Sequence, residues 1–276
     1  MSESIYTLRV SRAAAGAYPT ISDALAAADQ LYPDAEQPVM IHVDPGEYCE
    51  RVEIHRSHVT IEGETADSVR IVGSLGAKMP SEDGSGVDGT LGTFRTYTVL
   101  VDADDVRLEN LTIENDAGDG REVGQAIALY ADGDRLVVDA CCIKGHQDTL
   151  FLGPLPPHEA KPGGFIGPKQ YAPRRVGRQY FRRCRIEGDV DFIFGGARAY
   201  FEGCEIRSLN RDMDGGVDAR RRAARLCVPR LFVYSSGWRG AGFGLPGSSL
   251  ARMGANCADR LLVGATYQAR RLVGLE

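Results

Sequence analysis

Cys184-Arg185-Ile186 and Cys204-Glu205-Ile206 state the same short phrase, a small apolar or thiol side chain followed two positions later by isoleucine. Leu111-Thr112-Ile113 and Cys141-Cys142-Ile143 state it as well, at uneven intervals. In extended backbone, residues two apart share a face, so each phrase puts two apolar groups on one side of a strand. A strand phrase recurring at irregular distances predicts short strands stacked coil upon coil, a parallel β-helix whose surplus residues leave as loops. An antiparallel sandwich with a long meander is the competing reading of the same alternation.

Outward from these phrases, strands are expected over 39–43, 52–54, 59–62, 70–72, 98–101, 106–113, 126–130, 135–138 and 142–144. Further strands are expected over 179–186, 191–194, 198–201 and 204–207, with turn residues between them. Residues 19–29 predict a short N-terminal helix, capped by Thr20 or Ser22 and carried by alanine and leucine. The fold class is therefore all-β with one helix near the start. Residues 79–92 are glycine-rich and acidic, and 153–176 hold Pro154, Pro156, Pro157, Pro162, Pro168 and Pro173. Loops of that length in a compact domain are functional or mobile.

With 43% hydrophobic residues among 276, the chain can bury a sizeable core. A formal net charge of −6 argues against a nucleic-acid surface, although local fields leave a polyanionic substrate open. No apolar window approaches the about 20 residues of a membrane span. Met1-Ser2-Glu3-Ser4-Ile5-Tyr6 lacks the basic and apolar regions of an export signal, which predicts a cytoplasmic protein. The seven cysteines match no zinc spacing and are better read as small thiols stacked in a core.

Two stretches put carboxylates into apolar, strand-like frames, where acids need partners or a purpose. They are Gly145-His146-Gln147-Asp148-Thr149-Leu150-Phe151 and Gly188-Asp189-Val190-Asp191-Phe192-Ile193-Phe194-Gly195. With Gln125, the candidates for chemistry are Gln147, Asp148, Asp189 and Asp191. Two neighbouring buried carboxylates split their pKa values, which suits a nucleophile paired with a general acid. Glutamine amides can donate to a developing oxyanion. The plainer alternative has Asp148 capping a turn and Asp191 paired with an arginine such as Arg198, and a lone His146 reads as structural.

Gly124-Gln125-Ala126-Ile127-Ala128-Leu129, Gly145-His146-Gln147-Asp148-Thr149-Leu150 and Asp191-Phe192-Ile193-Phe194-Gly195 resemble three motifs of the pectin methylesterases, in that family's order. Gly46-Glu47-Tyr48, Gly92-Thr93-Phe94-Arg95 and Asn110-Leu111-Thr112-Ile113-Glu114-Asn115 resemble its earlier segments, and the proline-rich loop resembles its bacterial branch. The resemblance implies a single-stranded right-handed parallel β-helix that hydrolyses methyl esters of polygalacturonate or oligogalacturonides. It implies Asp191 as nucleophile, Asp148 as acid and then base, and Gln125 and Gln147 as oxyanion donors. It implies sugar contacts from Phe151, Tyr180 and Phe194, and no metal or cofactor. The partners expected are methylated pectin or its short fragments, with no nucleic acid or membrane, for a monomer. The family often has tyrosine where this chain has His146.

The resemblance stops near residue 217. The family's Leu-Gly-Arg-Pro-Trp run, whose arginine keeps the nucleophilic aspartate ionised, is absent, and the one tryptophan, Trp238, stands in another context. From residue 219 onward come ten arginines, no lysine and two acids, Asp259 and Glu276. The division expected is a β-helix domain over 1–217 and an atypical arginine-rich tail over 218–276, either a basic arm for an acidic partner or the product of a shifted reading frame. Synonymous codons for 245–253, read one base later, encode Tyr-Leu-Gly-Arg-Pro-Trp-Arg-Glu, and the same frame through 267–273 permits Ile-Arg-Pro-Glu-Gly-Trp. The expected consequences are weak esterase activity, or a non-catalytic acidic-sugar-binding remnant, and a β-helix that ends on bare strand edges.

Overall fold

The computed structural model describes residues 5–159 and 161–209, together with the backbone of 224–233. After β1 (Tyr6–Val10) and α1 (Ile21–Leu31), the chain winds into successive three-strand coils. The first coil is β2 (Val39–Val43), β3 (Gly46–Tyr48) and β4 (Val52–Ile54); the second is β5 (Val59–Gly63), β6 (Val69–Gly73) and β7 (Val99–Val101). The third is β8 (Arg107–Glu109), β9 (Thr112–Asn115) and β10 (Leu129–Ala131), with the single-turn helix α2 (Gly120–Val123) between the last two. The fourth is β11 (Leu136–Asp139), β12 (Cys142–Lys144) and β13 (Leu150–Leu152), and the fifth is β14 (Arg178–Arg182), β15 (Arg185–Gly188) and β16 (Ile193–Gly195). The long β17 (Arg198–Ser208) then runs along two faces at once, pairing with β14 through its first half and with β15 through its second.

Each strand pairs in parallel with its equivalent one coil on, which makes three ladders and a parallel β-helix. The alternative of an antiparallel sandwich is excluded by that pairing. The repeated phrase now has a physical account. Ile71, Ile113, Ile143, Ile186 and Ile206 lie in register as one interior column. Beside it the thiols of Cys141, Cys184 and Cys204 donate to the carbonyls of Leu108, Val138 and Phe181, each one coil earlier, at 3.3–3.4 Å. A thiol suits a corner where apolar packing and a spare carbonyl coincide. Burial pushes the Cys141 thiol up to about 12, so it remains a neutral donor.

The expected single strands over 106–113 and 179–186 are each broken in two. The chain turns at Asn110 and Arg183, both at positive φ, and at the equivalent Ala140 and Gly203. A left-handed residue costs an L-amino acid about 1–2 kcal/mol, so only asparagine and glycine signal such corners from sequence. The helix starts where Thr20 accepts from the Asp23 N–H at 3.0 Å and the Glu50 carboxylate accepts from Ile21 and Ser22. It buries Ile21, Ala24, Leu25 and Ala28 and packs against β1, β2 and β4. No helix among the described residues is long and apolar enough to cross a membrane.

The expectation of bare terminal edges is overturned for β17. β18 (Ala224–Val233) lies antiparallel along β17, from Ala199 opposite Val233 to Ser208 opposite Ala224. Its direction means that it covers the edge without continuing the coil. Trp238 and the stretches 245–253 and 267–273 lie outside the described residues.

The proline-rich loop is a pinned cover over the third ladder. Along β13, Leu150 and Leu152 point into the coil, while Phe151 joins an outer cluster with Phe94, Tyr97, Tyr130, Leu155, Phe165 and Phe194. Tyr130 and Phe151 meet edge to face at 4.7 Å, and Phe94 and Phe165 at 5.8 Å. Lys169 bridges Asp102 and Asp132 beneath the loop, and burial pushes the Asp132 carboxyl up to about 6. The Arg174 guanidinium donates to the carbonyls of Pro156, Lys169, Gln170 and Ala172.

Because Ile143 is fully buried at the centre of its column, Ile143→Ala should cost about 2–5 kcal/mol in a chemical-denaturation series. A loss below about 1 kcal/mol would contradict the column's role as core.

Candidate active site

Leu129, Leu150 and Ile193 are register partners on successive coils. Counting back from them sets three short rows one above another: Gln125-Ala126-Ile127, His146-Gln147-Asp148 and Asp189-Val190-Asp191. Backbone hydrogen bonds hold the rows in place. Ala126 N–H donates to the Gln147 carbonyl at 3.0 Å, Asp148 N–H to Val190 at 2.9 Å, and Asp189 N–H to His146 at 3.1 Å. Residues distant in sequence thus stand about one strand spacing apart, ~4.8 Å between backbones.

Asp148 and Asp191 occupy equivalent positions, and both have positive φ, 64° and 46°. Aspartate tolerates that region better than most residues, because its short polar side chain can bond locally. Asp148 is 8% exposed, whereas Asp191 is open to solvent. Burial lifts the Asp148 carboxyl well above the ordinary carboxylate range, and the charges of Asp191 and Asp189 push it further. Burial also raises Asp191. Among the described residues, no lysine or arginine forms an ion pair with either acid, and Arg198 does not pair with Asp191. The arrangement therefore keeps a proton on Asp148 while Asp191 ionises first.

Two amides stand at the same corner. A Cβ on Gly120 would meet Gln147 Oε1 at 2.6 Å, so the start of α2 lies directly on the Gln147 side chain. Gln125 is anchored through its carbonyl, which accepts from Ala77 N–H at 2.8 Å. Both glutamines are half-buried, and both belong to the rows that carry the acids or adjoin them.

Three aromatic candidates are placed elsewhere. Phe151 and Phe194 are 1% and 7% exposed in the cluster beneath the proline-rich loop, where Phe151 meets Tyr130 edge to face and Phe194 at a tilt. Tyr180 lies on the first ladder, stacked on Tyr200 at 5.5 Å and hydrogen-bonded to Glu202. Sequence reasoning passed over Val190, whose side chain is bare at the lip beside Asp191. It read His146 as structural without a partner, and His146 faces Asp189 across the coil boundary at 3.0 Å. The only sequence signal for that pair is an equivalent place in two motifs.

A raised carboxyl pKa in the fold has a definite sign. The native state holds the Asp148 proton at pH values where the unfolded chain has lost it, so stability falls as pH rises through and above the ordinary carboxylate value. Asp148→Asn should therefore raise the melting temperature at pH 7, and the gain should disappear near pH 3. Equal gains at both pH values, or a loss at pH 7, would contradict a buried, proton-retaining Asp148.

Comparison with known proteins bears on this corner. The family model described as Pectinesterase matches residues 7–154 and 171–222. The chain is 32% identical over 212 residues to probable pectinesterase/pectinesterase inhibitor 23 of Arabidopsis thaliana, covering 75% of this chain and 31% of that protein. It is 33% identical over 197 residues to probable pectinesterase A of Aspergillus oryzae, covering 70% and 50%. Among solved structures it resembles pectin methylesterase PemA from Erwinia chrysanthemi, with a TM-score of 0.58, 29% identity and coverage of 75% and 56%. A pectin methylesterase in complex with a hexasaccharide gives a TM-score of 0.60, 30% identity and coverage of 76% and 58%. The chain spans less than two thirds of the length of each of these proteins. Over its coils, and over the rows that carry Asp148 and Asp191, it belongs to the pectinesterase family.

Proposed function

We propose that this corner hydrolyses methyl esters of galacturonate residues in pectin or in short methylated oligogalacturonides. The observation that carries the reading is a buried Asp148, its carboxyl pushed upward by that burial, stacked in register with an exposed Asp191. An Asp191 carboxylate oxygen attacks the ester carbonyl, and the Gln125 and Gln147 amides donate to the oxyanion. As the tetrahedral species collapses, Asp148 gives its proton to the methoxy oxygen and methanol leaves. The sugar is then joined to Asp191 as a mixed anhydride. Asp148, now a carboxylate, takes a proton from water, whose oxygen attacks the sugar carbonyl and releases the galacturonate. The likeness to a pectin methylesterase seen with a hexasaccharide supports an oligosaccharide as the substrate. The resemblance of the proline-rich loop to the bacterial branch supports that branch within the family.

A second reading rests on the absence, among the described residues, of any cation paired with Asp191. Without one, ionisation of the nucleophile is poorly supported, and the chain as written turns over slowly or retains only binding of acidic sugars. We attribute the missing arginine to a shifted reading frame after about residue 217, on the strength of the codon compatibility of 245–253.

Methanol release from methylated pectin tests the chemistry. Asp191→Ala should lower turnover by about a thousandfold or more, while tritrated binding of oligogalacturonide by calorimetry persists. Undiminished turnover would remove Asp191 from the mechanism. The nucleotide sequence tests the frame: codons over 245–253 that cannot yield the Leu-Gly-Arg-Pro-Trp run one base later would end that account.

A further inference from the structure

One contact in the three rows has no part in the chemistry just described. His146 and Asp189 hold the same position on successive coils, immediately before Gln147 and Val190. His146 Nδ1 and Asp189 Oδ2 are 3.0 Å apart, with both side chains largely withdrawn from solvent. The other Asp189 oxygen accepts from Val190 N–H at 2.7 Å. The main chain closes around this pair. Thr149 Oγ1 donates to the His146 carbonyl at 3.0 Å, and a Cβ on Gly188 would meet that carbonyl oxygen at 2.7 Å. One carboxylate therefore reaches from the turn that carries Asp148 to the turn that carries Asp191.

We propose that His146 and Asp189 are a positioning pair, which ties the Asp148 turn to the Asp191 turn and so sets the separation of the two acids. For its functional meaning the proposal rests on the esterase reading above. The need for such a tie is conformational: a left-handed residue persists only where its surroundings over-determine it, and Asp148 and Asp191 are both left-handed. The tie also has an electrostatic side, because the Asp189 charge is one of those that push the Asp148 carboxyl upward. The other charged groups near the pair are Asp148 and Asp191 on its own turns and Lys144 at the end of β12, which approaches Glu114. On β15 stands Glu187, which pairs with Arg185 and with Arg207 of the next coil.

The test uses the full chain and follows the Asp148 carboxyl carbon by NMR through a pH titration, beside methanol release. Asp189→Asn keeps an acceptor for Val190 N–H but removes the charge, so the Asp148 midpoint should fall and kcat should fall less than in Asp189→Ala. Asp189→Ala removes charge and tie together, so the midpoint should fall and kcat should drop about tenfold to a hundredfold with little change in KM. His146→Ala breaks the tie and leaves the Asp189 charge in place, so kcat should drop as in Asp189→Ala, and this variant decides the matter if the Asp189 variants do not fold. A kcat undiminished in folded His146→Ala and Asp189→Ala, or an Asp148 midpoint unmoved in the Asp189 variants, overturns the proposal. A parent chain that releases no methanol defeats the esterase reading, while the titration still decides whether the pair couples to Asp148.

Discussion

The hydrogen bond from Asp148 N–H to the Val190 carbonyl, which joins two turns just ahead of the third ladder, is the interaction on which the site depends. Parallel stacking admits no offset between equivalent residues of adjacent coils, so a repeated motif position becomes a spatial neighbour. Two like charges are brought within about one strand spacing by the same bonds that build the fold. Because the inner acid is buried and the outer one is exposed, they respond differently to the same proximity. The raised pKa of Asp148 is thus a consequence of the coil register, and the stability it forfeits at neutral pH is the cost of a usable proton.

The rest of the molecule maintains that register. An isoleucine column fills the interior, and thiols at the neighbouring corner donate to carbonyls of the coil before. On the outside of the third ladder, an aromatic cluster and the pinned loop above it shield the strands that follow the acids. At the far end, β18 covers β17 in the antiparallel sense, so the first two ladders end on a paired strand. Among the described residues, no lysine or arginine pairs with Asp191.

Much of this was legible in the residues. Periodicity two and the recurring phrase specify strands and stacking, and the irregular intervals specify loops. The two acids and two glutamines stood out because polar groups in apolar frames require an explanation. The corners at Ala140 and Arg183 were not legible, since neither residue type favours a left-handed backbone and the turn is imposed by the coils on either side. The sugar contacts expected of Phe151 and Phe194 came from resemblance alone, and alternation tells which side of a strand a ring occupies but not what covers that side. The His146–Asp189 contact was hidden for a related reason. Neither residue is unusual alone, and only the register between the fourth and fifth coils brings them face to face.

The central claim is that coil register makes Asp148 the acid that keeps its proton and Asp191 the one that loses it. Assigned carboxyl-carbon NMR titrations of both residues in the unmodified chain test this most directly. The account predicts that Asp191 titrates first and Asp148 well above the ordinary carboxylate range. An Asp148 that titrates at the ordinary value, or before Asp191, would contradict it.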